Sequence, residues 1–179
     1  MTEKIRRKYY LDKLLSYKDK DIIKVVTGLR RSGKSTLLQI FRDDLSKNKI
    51  SDKQIQFYNF ELPENFLNKS WDKLYFEIKS KLQPDKMNYI FLDEIQNIAD
   101  FEKLVDGLYA TENTDIYITG SNANLLSSEL ATLLSGRYIE TSLLPFSFSE
   151  YLQGRKIDTS NKYLNYEALF YDYVNETSL

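Results

Sequence analysis

GLRRSGKST, Gly28 to Thr36, stands between the apolar run IIKVV and the helical-looking LLQIF. The chain has six glycines in 179 residues, and two of them enclose four residues here, just ahead of a lysine and a hydroxyl. Glycine is favoured where backbone must take positive φ or approach another group closely. The spacing G-x-x-x-x-G-K-[ST] between a strand and a helix is that of a P-loop. Gly28 and Gly33 let the intervening Leu29, Arg30, Arg31 and Ser32 curl so that successive N–H groups converge on a β-phosphate. A Cβ at either glycine is expected to obstruct that approach. The loop opens into a helix N-terminus, which favours an anion. There Lys34 is placed to reach the β- and γ-phosphates, Ser35 to ligate Mg²⁺, and Thr36 to complete the binding segment.

Outward from this loop, short apolar runs alternate with helical periods, the pattern of βα units around a buried parallel sheet. Strands are predicted at Ile22 to Thr27, Ile55 to Phe60, Tyr89 to Asp93, Asp115 to Thr119 and Tyr138 to Leu144, the third and fourth being most central. Leu37, Leu38, Phe41 and Leu45 form one helical face. Trp71, Leu74, Tyr75, Ile78 and Leu82 form another behind Ser70 as N-cap, and Phe101, Leu104, Val105 and Leu108 a third behind Asp100. A further helix is predicted over Leu125 to Leu134, stopped by Gly136. Beyond Pro145 the strand character ends, and Tyr151 to Tyr173 reads as helical and aromatic-rich.

A phosphate loop needs a partner that holds the metal, and YIFLDEIQ supplies one. Asp93, ending an apolar strand, can hold Mg²⁺ through water, and Glu94 can polarise an attacking water as general base. None of the Asn-Lys pairs, in NKIS, NKSW and NKYL, continues to the aspartate with which GTPases read guanine, so ATP is the expected nucleotide. The fourth strand ends in TGSN. Ser121 or Asn122 would face a γ-phosphate if that strand lies between the P-loop strand and the Asp93 strand; the alternative is a turn with a helix N-cap. Arg30 and Arg31 are adjacent, so at least one is solvated or faces a neighbouring chain. The run RRK, Arg6 to Lys8, reads as the solvated face of an N-terminal helix that buries Leu11, Leu14 and Leu15.

Composition bounds the chemistry. There is no cysteine and no histidine, which removes disulfides, thiolate or imidazole metal sites, and imidazole-dependent triads. The net charge is −1, so nothing in the bulk composition pulls toward nucleic acid. No apolar run approaches a membrane span or a signal peptide, and a cytosolic protein is the expectation.

With GLRRSGKST, YIFLDEIQ, ITGSNA and LLSGRYIETSLLPFSFSEYL in this order, the chain resembles archaeal and bacterial AAA-type ATPases that carry a C-terminal domain of unknown function. The resemblance runs from about Tyr9 to Tyr151. It implies a three-layer α/β P-loop NTPase fold, AAA-like and of the ASCE division, with a five-stranded parallel sheet. Residues 1–150 would be the ATPase domain with its N-terminal helix, and 151–179 the start of a helical lid. Gly28 to Ser35 would be Walker A, Asp93 and Glu94 Walker B, and Ser121 and Asn122 the sensor region. Arg137 reads from sequence alone as a surface arginine. The resemblance makes it an arginine finger acting on nucleotide in an adjacent subunit, within a homo-oligomer. Asn59 is the candidate to restrain Glu94. Family members continue well beyond this length, so the chain is expected to be an N-terminal portion. The function implied is Mg²⁺-dependent ATP hydrolysis that drives or switches a partner domain. A small-molecule or nucleotide kinase, and an ATP-binding switch without turnover, are the alternatives.

Overall fold

A computed structural model describes residues 4–63, 70–120, 134, 136–161 and 163–177. Helix α1 (Lys8–Ser16) leads to strand β1 (Ile23–Gly28), the phosphate-type loop and helix α2 (Lys34–Lys47). Then come β2 (Ile55–Asn59), α3 (Trp71–Ser80), β3 (Asn88–Asp93), α4 (Phe101–Tyr109), β4 (Thr114–Thr119), β5 (Tyr138–Leu143), α5 (Phe148–Gly154) and α6 (Tyr166–Thr177). The strands form one sheet in the order β2-β3-β4-β1-β5, and every pairing is parallel. The predicted strands each fall within a residue of those observed, and β3 and β4 are interior as expected. The helix predicted over Leu125 to Leu134, and Ser121 and Asn122, lie outside the described residues, apart from Leu134 itself, which is buried.

Alternation along the strands sends different chemistry to the two faces of the sheet. Ile23, Val25, Ile90, Leu92, Ile116 and Ile118 pack aliphatic side chains against α3 and α4. On the other face Tyr89, Phe91 and Tyr117 meet α1 and α2. There Phe91 stacks on Tyr117 with ring centroids 4.8 Å apart, and Phe41 from α2 lies 5.2 Å from Tyr117. Both faces are thus covered, as a parallel sheet requires. Among the described residues no helix is long and apolar enough to cross a membrane.

Several local expectations need correction. Ser70 and Asp100 occupy the N-cap positions of α3 and α4, but neither side chain makes the cap hydrogen bond. On α1 only Leu11 and Leu14 are buried, while Leu15 is exposed. Arg6 and Lys8 are solvated and pair with Asp44 and Asp12, as the RRK reading predicts. Arg7 breaks that pattern, being only 6% exposed. Its guanidinium donates to both oxygens of Glu150 at 2.8 and 3.0 Å and to the carbonyls of Leu144 (2.7 Å), Pro145 (3.2 Å) and Ser32 (3.4 Å). The rings of Tyr10 and Phe146 cover it. A buried cation is tolerated only when so partnered.

The aromatic C-terminal stretch divides into two helices. A capping box at Ser147 and Glu150 starts α5, and Gly154 is in its last turn. Phe148, Tyr151, Phe170 and Tyr173 then join α5 to α6 through ring contacts, and Tyr173 donates to the Phe146 carbonyl at 2.7 Å.

Candidate nucleotide site

The C-terminal ends of β1, β3 and β4 meet at one edge of the sheet, and each delivers a polar group there. Ligands of open parallel sheets bind at this edge. At the end of β1, Gly28 has φ 145°, and a Cβ on it would lie 2.3 Å from the Leu143 carbonyl oxygen of β5. Within the chain, the obstruction a Cβ would meet at this glycine comes from the neighbouring strand. Gly33 has open space around it, so a Cβ there would block nothing in the chain. Its φ of 92° is what excludes other residues.

Within the loop Leu29, Arg30 and Arg31 are exposed, Ser32 is buried, and Thr36 is half-buried in the first turn of α2. Lys34 is only 5% exposed and lies folded over the loop. Its ammonium donates to the carbonyls of Gly28 and Leu29 at 3.4 and 3.3 Å and sits 3.3 Å from Glu94 Oε1. These contacts are long and exchangeable, suited to a cation that leaves them for an anion. Arg30, Lys34, Glu61, Glu94, Gln96 and Asn97 line one cavity of about 280 Å³.

Asp93 is fully buried. Its Oδ1 accepts from Ser35 at 3.0 Å and from the Thr119 hydroxyl at 2.6 Å, while Oδ2 is buried without a partner. Burial pushes this carboxyl above its usual pKa, and Glu94 and Glu61 add to that, against the lowering by the two hydroxyls. An ionised carboxylate with a free oxygen, next to a hydroxyl, is the donor set a hard divalent cation takes. Ser35 and Asp93 therefore fit Mg²⁺, held directly or through water.

Thr119 was not singled out by the sequence reading. Its hydroxyl donates to Asp93 and accepts the Glu94 N–H at 2.9 Å, so it ties the two acidic residues together. The signal was available in DIYIT, where a hydroxyl closes an apolar strand. β4 lies between β1 and β3, the order that a γ-phosphate contact from Ser121 or Asn122 requires, and Thr119 stands two residues before Ser121. Glu94 itself has φ 54°, ψ 50°, a left-handed conformation rare for glutamate. Asn59 pairs in register with Asp93, and its Oδ1 accepts from the Glu61 N–H at 2.9 Å. A hydrogen bond to the Glu94 carboxylate comes from Gln96, whose Nε2 lies 2.5 Å from Oε2.

Arg137 is at the opposite edge. Its carbonyl accepts from Ile23 at the start of β1, and Tyr138 pairs with Ile23 as Leu143 pairs with Gly28. Five residue steps along β1 at about 3.3 Å each separate it from the loop by about 17 Å. The guanidinium lies 3.2 Å from Asp106 and over the Tyr109 ring, and is half exposed.

The lone free oxygen on Asp93 gives one prediction about stability. Asp93→Asn removes a desolvated charge and is expected to raise the melting temperature of the nucleotide-free protein by a few degrees at neutral pH. The sign follows from the raised folded pKa. The penalty of ionising Asp93 applies in full above that pKa and fades as the pH falls through it toward the unfolded value. Thermal melts across pH should show the gain shrinking in the same direction.

A P-loop at the end of the first strand, faced by Asp93 at the end of β3 and Glu94 just beyond it with β4 between them, defines the P-loop nucleotide-binding class. An AAA domain model matches residues 20–152, and the chain belongs to that family. An uncharacterized protein of Haemophilus influenzae is 45% identical over 159 residues, and one of Methanocaldococcus jannaschii is 36% identical over 156. The matches cover 88% and 86% of this chain but only 40% and 34% of those relatives. A chain in the structure of Drosophila ORC bound to GC-rich DNA and Cdc6 superimposes with a TM-score of 0.55 over 94% of this chain and 74% of that one, at 14% identity, a likeness of fold. The chain is a nucleotide-binding, ATPase-like module.

Proposed function

We propose that this module binds Mg²⁺-ATP and hydrolyses it, as the motor or switch of a longer protein that acts as a homo-oligomer. The observation that carries the reading is the convergence of Lys34, Ser35, Asp93 and Glu94 at one sheet edge, with Thr119 bridging the two carboxylate residues.

On nucleotide binding the loop N–H groups and Lys34 take the phosphates, and Lys34 gives up its contact with Glu94. Bound Mg²⁺ would neutralise phosphate charge, with Ser35 and Asp93 holding it. The Glu94 carboxylate then accepts a proton from water as the water oxygen attacks the γ-phosphorus and the bond to the β-phosphate oxygen breaks, giving ADP and phosphate. Arg137, too far from its own pocket, acts on nucleotide in an adjacent copy. The segment 151–179 is the start of a helical lid, and the C-terminal part of the longer protein receives the output.

Isothermal titration tests the binding step. Wild type is expected to bind Mg²⁺-ATP in preference to GTP, and Lys34→Ala to lose detectable binding, because the ammonium and loop N–H groups act on one polyanion. Equal ATP affinity in the two proteins would refute the loop's role, and much tighter GTP binding would refute the base preference.

A further inference from the structure

Gln96 makes a contact that the role of Glu94 alone does not explain. It lies two residues beyond Glu94, a spacing at which side chains on a regular helix point apart. Here the left-handed backbone at Glu94 turns its side chain toward the short 3₁₀ turn Ile95–Asn97. That turn is rigid. Ile95 and Ile98 are buried in the core, and Asn97 Nδ2 donates to the Phe60 carbonyl at 3.0 Å.

The orientation of the Gln96 amide is fixed by chemistry, since only its NH₂ can donate to the Glu94 carboxylate at 2.5 Å. Its Oε1 is left buried without a partner. An unsatisfied buried acceptor is costly, so the arrangement favours the Glu94 contact over the amide's own hydrogen bonding.

We propose that Gln96 is the positioning residue for the general base. Glu94 is held from two sides, Oε1 by Lys34 and Oε2 by Gln96. When Lys34 moves to phosphate, Oε1 is released to take the proton of the attacking water, while Gln96 keeps Oε2 in place. The carboxylate is thereby oriented by a rigid turn of its own chain at the moment it acts.

This rests on the hydrolytic reading of Glu94, and the test separates the two. ATP affinity and single-turnover hydrolysis are measured for wild type, Glu94→Gln, Gln96→Ala, Gln96→Glu and the double variant Glu94→Gln with Gln96→Ala. Gln96→Ala is expected to slow hydrolysis about 10²-fold, the scale of a misplaced reacting group, with ATP affinity within about threefold of wild type. In the Glu94→Gln background it should add no further loss, because the residue to be positioned is already gone. Gln96→Glu keeps the shape and sets a like charge beside Glu94. An ionised carboxylate has no N–H to donate to Glu94, so this variant should lose hydrolysis on the same scale as Gln96→Ala.

An unchanged rate in Gln96→Ala while Glu94→Gln is inactive overturns the positioning role alone. A loss that multiplies with that of Glu94→Gln also overturns it, marking general damage. If wild type and Glu94→Gln hydrolyse ATP equally, the hydrolytic reading falls and the role of Gln96 with it. Should Gln96→Ala fail to fold, the near-isosteric Gln96→Glu decides, and hydrolysis at the wild-type rate in that variant overturns the proposal.

Discussion

Arg137→Ala is expected to lower kcat by about 10³-fold while ATP affinity stays within a few-fold of wild type. A finger arginine supplied by a neighbour stabilises charge on the transferring phosphoryl group and matters mainly in the transition state. The fold makes the prediction specific. Parallel pairing sets Arg137 beside Ile23 and the phosphate loop beyond Gly28, at opposite edges of one sheet, so no rotamer carries the guanidinium to its own pocket. In the separate chain it rests on Asp106, an exposed pair worth about 1 kcal/mol or less and easily exchanged. Turnover per subunit should therefore rise with protein concentration until assembly saturates. Mixing Arg137→Ala with the binding-deficient Lys34→Ala should restore part of the activity, because an intact finger and an intact pocket can meet across one interface. A concentration-independent rate, or no rescue in a mixture shown to co-assemble, would return Arg137 to an ordinary surface arginine.

Glu94→Gln should abolish most turnover, by about 10² to 10⁴-fold, the usual contribution of a positioned base. The amide preserves shape and hydrogen-bonding reach but cannot take a proton from water. ATP binding should persist or tighten slightly. Glutamine removes the negative charge that lies 3.3 Å from the Lys34 ammonium, leaving the Gly28 and Leu29 carbonyls as the contacts phosphate must displace. Single-turnover chemistry with labelled ATP checks this, since the variant should retain uncleaved nucleotide. Undiminished cleavage would move the base elsewhere.

The phosphate loop, the acidic pair and all five strands were legible in the sequence because each rests on local spacing. G-x-x-x-x-G-K-S fixes a loop by itself, and YIFLD announces a buried strand ending in a carboxylate. What escaped depends on partners distant along the chain. Lys24, a charge within the apolar run IIKVV, is 1% exposed and bonds to Asp115 at 2.5 Å, 91 residues away. Arg7 read as one of three solvated cations, and only the fold brings Glu150 and three carbonyls around it. Thr119 shares this character, while Gln96 depends on a local turn. Each is an unremarkable polar residue until the sheet order, or a left-handed turn at Glu94, sets it against a carboxylate.

Arg7 has a mechanical reading as well as an electrostatic one. It fastens the segment before α1, the linker between β5 and α5, and the Ser32 carbonyl of the phosphate loop into one joint. Tension applied to α5 from further along the chain is borne at Glu150, beside Leu144 and Pro145, and passes through a single planar guanidinium to the loop. That joint couples the nucleotide loop to α5 through one side chain.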